Sequence, residues 1–154
     1  FRRNADPVEA IKFLEGVATK VSGAEGGLDA YLLVRSVIAQ LKLQDPKNRE
    51  ETKELLESIQ TGLDGVAGID TSVYANYYKA QAIYHKAAGL SAEFYRNALL
   101  YLSYTAIESL SEQERLQMAF DLGISALVGE DIYSFGDLVR DDTFPAVADA
   151  FTSV

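Results

Sequence analysis

Cysteine is absent from this 154-residue chain, histidine occurs once, and proline occurs three times. Without cysteine there is no disulfide framework, no thiolate nucleophile and no cysteine-ligated zinc, and the absence fits a reducing compartment. Basic residues are also scarce, at 14 Lys and Arg against 23 Asp and Glu, so the formal net charge is −9. A face that binds the phosphate backbone of nucleic acid needs the opposite balance, and an anionic membrane surface is disfavoured for the same reason. No apolar run reaches the roughly 20 residues of a membrane span. Arg2 and Arg3 precede a polar stretch and not the apolar core of a signal peptide. Nucleic acid, membrane, cofactor and metal are therefore not expected as partners. The acidic balance reads as a solvated surface, with steering toward a basic partner as its functional alternative.

What remains is 48% hydrophobic and 24% charged, the proportions of an ordinary globular domain, in a chain long enough to bury a core unaided. Its pattern is helical throughout. Asp6-Pro7 and Asp45-Pro46 are N-cap and first-turn pairs: the carboxylate accepts from free backbone N–H groups, and proline has none to lose. After Asp6, Ala10, Phe13, Leu14, Val17, Ala18 and Val21 follow the spacing of one helical face, and glycines in "SGAEGG" (22–27) stop the run. A second helix places Ala30, Leu33, Val34, Val37, Ile38 and Leu41 on one face. A third carries Leu55, Leu56, Ile59 and Leu63, with the charged "KNREETKE" (47–54) facing water. "TGLDGVAGID" (61–70) reads as a connection, after which Asp70, Thr71 or Ser72 caps a tyrosine-rich fourth helix with Val73, Tyr77, Ala80 and Tyr84 on one side. Gly89 ends it. Ser91 begins a fifth helix with Phe94, Ala98, Tyr101, Leu102 and Thr105, and Ser111-x-x-Glu114 is a capping box opening a sixth. In that sixth helix Leu116, Ala119, Phe120, Gly123, Ile124 and Leu127 form a continuous stripe. Gly123 inside it costs about 1 kcal/mol relative to Ala, which a close neighbouring helix would justify. No strand pattern occurs, and short connections make successive helices antiparallel neighbours. No strict repeat of about 34 residues is present, but the paired helices predict an all-α, degenerate helical-repeat solenoid.

Catalytic chemistry is not apparent. The helical neighbours of His85 are Gln81, Ala82, Ala88 and Gly89, so it has no carboxylate or second ligand on its helix. "GAEGG" lacks the Gly-Lys-Ser/Thr ending and preceding strand of a phosphate loop, and "GIS" (123–125) lacks the strand–turn–helix setting of a nucleophile elbow. Glu130-Asp131 and Asp141-Asp142 lack the alternating oxygen ligands of a calcium loop and read as surface acids. Tyr74, Tyr77, Tyr78, Tyr84, Tyr95, Tyr101 and Tyr104 crowd two consecutive helices. Such stripes are ordinarily core with hydroxyls at its edge, and a groove for an extended peptide is the alternative.

One long stretch carries a resemblance. "AFDLGISALVGEDIYSFGDLV" (119–139) resembles a segment of the family of non-ATPase subunit 13 of the 26S proteasome regulatory particle, where A-F-x-L-G-x-x-x-L-x-G-E precedes an aromatic, a small polar residue and F-G-[ED]-L. Ala119, Phe120, Leu122, Gly123, Leu127, Gly129 and Glu130 fit the first half. Tyr133, Ser134, Phe135, Gly136, Asp137 and Leu138 fit the second. "TSVYANYYKAQAIYHKAAGLSAEFYRNALLYL" (71–102) is similar to the same family's aromatic hairpin, and "AIKFLEGVATKV" to an earlier helix. The resemblance is strongest over 71–139.

The resemblance implies a right-handed, TPR-like horseshoe of antiparallel helix pairs followed by a winged-helix module, the PCI arrangement. Residues 1–154 would be the helical-repeat part of a longer chain, an expectation to which Phe1 at the start and the end at Val154 also point, with the winged helix beyond. It further implies a non-catalytic scaffold subunit of the regulatory particle lid, cytoplasmic and nuclear, supporting degradation of ubiquitinated proteins. Its neighbours would be other lid subunits, including the deubiquitinase-containing pair and a ubiquitin-receptor subunit. The motif residues are then packing residues. Two alternatives stand beside this: a related PCI subunit of the signalosome or a translation-initiation complex, and a free-standing peptide-binding adaptor holding a carboxylate with Lys79, Lys86, Arg96 and Asn97.

Overall fold

Asp6 accepts a hydrogen bond from the Val8 N–H at 3.0 Å and opens the first helix, α1 (Pro7–Ser22), with Pro7 in its first turn. A computed structural model of the protein describes residues 6–128. It continues through α2 (Leu28–Lys42), a 3-10 turn (Pro46–Asn48), α3 (Arg49–Asp64), α4 (Thr71–Ala88), α5 (Ser91–Ser103), a second 3-10 turn (Ile107–Ser109) and α6 (Glu112–Val128). No strand occurs among the described residues, and the protein is all-α, as its sequence pattern predicts.

The caps follow the sequence closely. Asp45 accepts from Lys47 N–H, although Pro46 opens a 3-10 turn and α3 begins only at Arg49. Of the three candidates before α4, Asp70 is the cap, accepting from Ser72 N–H at 2.8 Å. Gly89 ends α4 with φ 76°, the left-handed conformation that glycine adopts without strain. Ser111 and Glu114 form the reciprocal box, Ser111 N–H donating to Glu114 Oε2 at 3.0 Å and Glu114 N–H to Ser111 Oγ at 3.1 Å.

Two helices carry the packing. α2 contacts α1, α3 and α4, and α4 contacts α2, α3 and α5, while α6 rests on α5. One apolar cluster gathers Leu32, Ala39, Leu56, Ile59, Leu63, Ile69, Val73, Tyr77 and Ala80; a second gathers Ala75, Ala82, Phe94, Tyr95, Ala98, Leu99, Tyr101, Leu102 and Leu122. α4 supplies residues to both, and Tyr78 packs against both. Polar ties reinforce the α2–α4 contact. Gln40 Nε2 donates to the Asn76 carbonyl at 3.1 Å, and the Asp70 N–H donates to Asp29 Oδ2 at 3.1 Å. The fully buried hydroxyls of Ser36 and Thr52 donate to the carbonyls of Leu32 and Asn48 one turn earlier, so neither is left unsatisfied in the interior.

Several sequence expectations are corrected. The third helix runs on to Asp64, so 61–64 is helix and not connection. Gly62 belongs there because a Cβ at that position would lie 2.9 Å from Leu32 Cδ2: the glycine lets α3 close onto α2. In α2 the buried residues are Leu32, Ser36, Ile38 and Ala39, and Ala30 is exposed. A helix flanked on three sides has no single inner stripe. In α1, Phe13 is 67% exposed. α1 leans mainly on α2, and Phe13 lies about 90° around the helix from the centre of the strip formed by Leu14, Val17, Ala18 and Val21.

The largest correction concerns α6. Its buried residues are Leu122 and Ser125. Leu116, Phe120, Ile124 and Leu127 are exposed, Leu127 by 80%. The expected stripe is therefore the outward face among the described residues. No atom of the described residues lies within 4 Å of a Cβ built on Gly123, so no neighbouring helix among them approaches there. α6 has two apolar faces, and periodicity alone does not say which one meets α5.

Candidate functional site

Tyrosines concentrate where α4, α5 and the end of α3 meet, and they separate into two groups. Tyr77, Tyr95 and Tyr101 are buried, whereas Tyr74, Tyr78 and Tyr84 are half-buried and Tyr104 is exposed. The spacing of Tyr74, Tyr77, Tyr78, Gln81 and His85 places them along one side of α4. There they line a cleft of about 250 Å³ with Gln60 and Asp64 from α3 and Asn97 from α5. Tyr104 stacks on Tyr74 and on Tyr78, with centroids 5.2 and 5.7 Å apart, and Tyr78 meets Tyr77 edge-on. The tyrosines thus divide: some are core, as such stripes ordinarily are, and others wall a cleft.

Burial raises the Tyr77 phenol above its ordinary pKa, opposed by a hydrogen bond from Gln81 Nε2 at 2.8 Å. Burial likewise raises Tyr78, aided by Tyr104, Tyr74 and the Asp64 carboxylate. Tyr101 is raised by burial and by Glu114. These phenols stay protonated at neutral pH and serve as neutral surfaces, not as bases. His85 Nδ1 lies 2.7 Å from the Gln81 carbonyl oxygen. That contact requires a proton on Nδ1, because a carbonyl oxygen can only accept. No group of three or more potential metal ligands occurs among the described residues.

The residues considered for peptide-carboxylate capture are not assembled into one site. Lys79 lies over the Tyr101 ring at 5.7 Å, Lys86 pairs with Asp121 at 2.7 Å, Asn97 donates to the Glu93 carbonyl, and Arg96 is exposed. A larger cleft of about 510 Å³ between α1, α2 and α3 holds Arg35 and Lys42. Both are engaged by their own chain. Lys42 pairs with Glu51, with Glu15 at 4.0 Å, and Arg35 Nη1 donates to Tyr31 Oη while its guanidinium lies 5.3 Å from that ring.

Of the motif residues, Ala119, Phe120, Leu122, Gly123 and Leu127 lie on α6. Leu122 is buried against α5, Ala119 is half-buried, and Phe120 and Leu127 face outward. Gly129, Glu130, Tyr133, Phe135, Gly136 and Leu138 lie outside the described residues, as do Ser134 and Asp137 and the acid pairs at 130–131 and 141–142.

The family described as PSD13 N-terminal repeats matches residues 1–151. The chain belongs to the 26S proteasome non-ATPase regulatory subunit 13 family. It is 39% identical over 147 residues to the 26S proteasome non-ATPase regulatory subunit 13 of Dictyostelium discoideum, covering 94% of this chain and 37% of that one. The homolog B of that subunit in Arabidopsis thaliana is 40% identical over 140 residues, covering 90% and 36%. The 26S proteasome regulatory subunit RPN9 of Saccharomyces cerevisiae is 32% identical over 128 residues, covering 82% and 32%. The chain therefore spans about a third of the length of the curated relatives it matches. Membership in the subunit 13 family agrees with the motif order from 71 to 139. No helix among the described residues is long and apolar enough to cross a membrane.

Sequence reasoning missed Asp64. Gly62 and Gly65 punctuate the segment like a connection, whereas the unbroken spacing Leu56, Ile59, Leu63 is the signal that carries the helix through to it.

Proposed function

We propose that this chain is the helical-repeat part of a non-catalytic scaffold subunit of the 26S proteasome regulatory particle lid. The observation that carries this reading is the family match over residues 1–151, joined to relatives that are regulatory subunits of the 26S proteasome. In this reading the helix pairs form a right-handed solenoid of the PCI type, and a winged-helix module follows in the whole protein. The protein works in cytoplasm and nucleus by holding other lid subunits, among them the deubiquitinase-containing pair and a ubiquitin-receptor subunit. Its contribution to ATP-dependent degradation of ubiquitinated proteins is positional.

The chemistry of the described residues is consistent with a scaffold. The single histidine is tied to its own helix, and the phenols are raised rather than lowered in pKa. An epitope-tagged full-length protein, purified from its own cells at physiological salt, is expected to bring down the lid subunits in near-equal amounts by quantitative mass spectrometry. Elution alone, or with ribosomal proteins dominating, overturns the assignment.

A further inference from the structure

We propose that the tyrosine-walled cleft between the end of α3, α4 and α5 is a binding site for an arginine side chain of a partner polypeptide. Three observations independent of the family assignment converge on it.

The first is the donor–acceptor balance of the lining. No lysine or arginine among the described residues lines the cleft. Asp64 takes part in none of the three ion pairs among the described residues. Gln81 Nε2 donates to Tyr77 Oη and Asn97 Nδ2 to the Glu93 carbonyl, which turns one N–H of each amide back onto its own helix and leaves the amide oxygens as acceptors. The cleft thus holds one carboxylate and several amide acceptors, with no lysine or arginine among the described residues to neutralise them. A guanidinium supplies up to five N–H donors in a planar fork.

The second is the end of α3. The C-terminus of a helix carries a partial negative charge that a basic residue in the last turn ordinarily offsets. The last turn of α3 has no basic residue, and its last residue is Asp64. The chain thus places a full negative charge on an already negative helix end, beside the aromatic wall. An external cation would relieve both.

The third is that wall. Tyr74 and Tyr78 line the cleft, their rings held by stacking on Tyr104. Neutral, pre-positioned tyrosine faces attract a guanidinium through the ring quadrupole. The overall charge of −9 draws a basic segment toward the surface before it is fitted. The lysines nearest in sequence do not compete, since Lys79 lies on Tyr101 and Lys86 on Asp121.

The test uses the full chain, ¹⁵N-labelled, titrated with the blocked tripeptide acetyl-Gly-Arg-Gly-amide and, separately, with the same peptide carrying neutral citrulline. Saturable chemical-shift changes confined to Asp64, Tyr74, Tyr78, Gln81 and their neighbours are expected with arginine and not with citrulline. Asp64→Asn, an exposed and isosteric change, is expected to weaken binding about five-fold while leaving the thermal transition unchanged or slightly raised. Tyr78→Leu is expected to weaken it comparably. Equal response to citrulline, changes scattered over the acidic surface, or affinity unaltered in Asp64→Asn would each overturn the site.

Discussion

Tyr104, the residue that ends α5, stacks on Tyr74 of α4 with ring centroids 5.2 Å apart and planes 21° from parallel. It stacks on Tyr78 as well, one helical turn further along. A residue just past the end of one helix is thereby fixed against two on its neighbour. Removing the ring in Tyr104→Ala is expected to cost about 1–2 kcal/mol, and Tyr104→Phe, which keeps the stack, much less. Urea denaturation followed by circular dichroism measures both.

Two helical glycines make opposite demands. A Cβ at Gly62 meets Leu32 Cδ2 at 2.9 Å, whereas one at Gly123 meets no atom of the described residues within 4 Å. Gly123→Ala should stabilise the chain by about 0.5–1 kcal/mol through helix propensity. Gly62→Ala should show no such gain, because Leu32 is 2% exposed and has little room to yield. Combining Gly62→Ala with Leu32→Ala should restore the gain, seen as a favourable coupling in the double-mutant cycle.

The Asp70 carboxylate is held below its ordinary pKa by hydrogen bonds from Ser72, side chain and backbone. A depressed carboxylate stabilises the fold above its unfolded-state pKa, and the contribution is lost as pH falls through the folded value. Acid titration of stability should therefore be shallower in Asp70→Asn than in the wild type below about pH 4. Parallel acid limbs in the two proteins would contradict this.

At the alkaline end the sign reverses. Tyr77, Tyr78 and Tyr101 have raised values, mainly through burial. The unfolded chain gives up these protons first, so stability is full below about pH 10 and declines above it. Ultraviolet difference titration should find these three phenols ionising late, together with loss of helical signal. Substituting Tyr77 by Phe should move the alkaline midpoint upward.

Helix starts were the most legible part of the sequence. Asp6, Asp45 and Ser111 each act locally, through side-chain bonds to N–H groups two or three residues on, and local chemistry is written locally. Faces were harder. α2 is flanked on three sides, and α6 has apolar residues on opposite sides, so periodicity located the helices without choosing their inner surfaces. The end of α3 was hidden because Gly62 owes its place to Leu32, thirty positions earlier in the chain. The same misreading concealed Asp64, and with it the acidic corner of the tyrosine cleft. The tyrosines themselves were visible, but their division between core and groove depends on how α5 meets α4. The family was legible because its motif is an ordered string of residues, independent of which of them are buried.

α4 has residues in both apolar clusters, and Tyr78 touches each. The two halves of the described chain therefore share a wall, and neither can melt without baring a side of the other. That makes α4 the keystone of the described chain, whose loss is loss of both clusters, while an end element can still open on its own. In native-state hydrogen exchange the amides of α4 should open only with global unfolding, and those of α1, attached chiefly to α2, well before it.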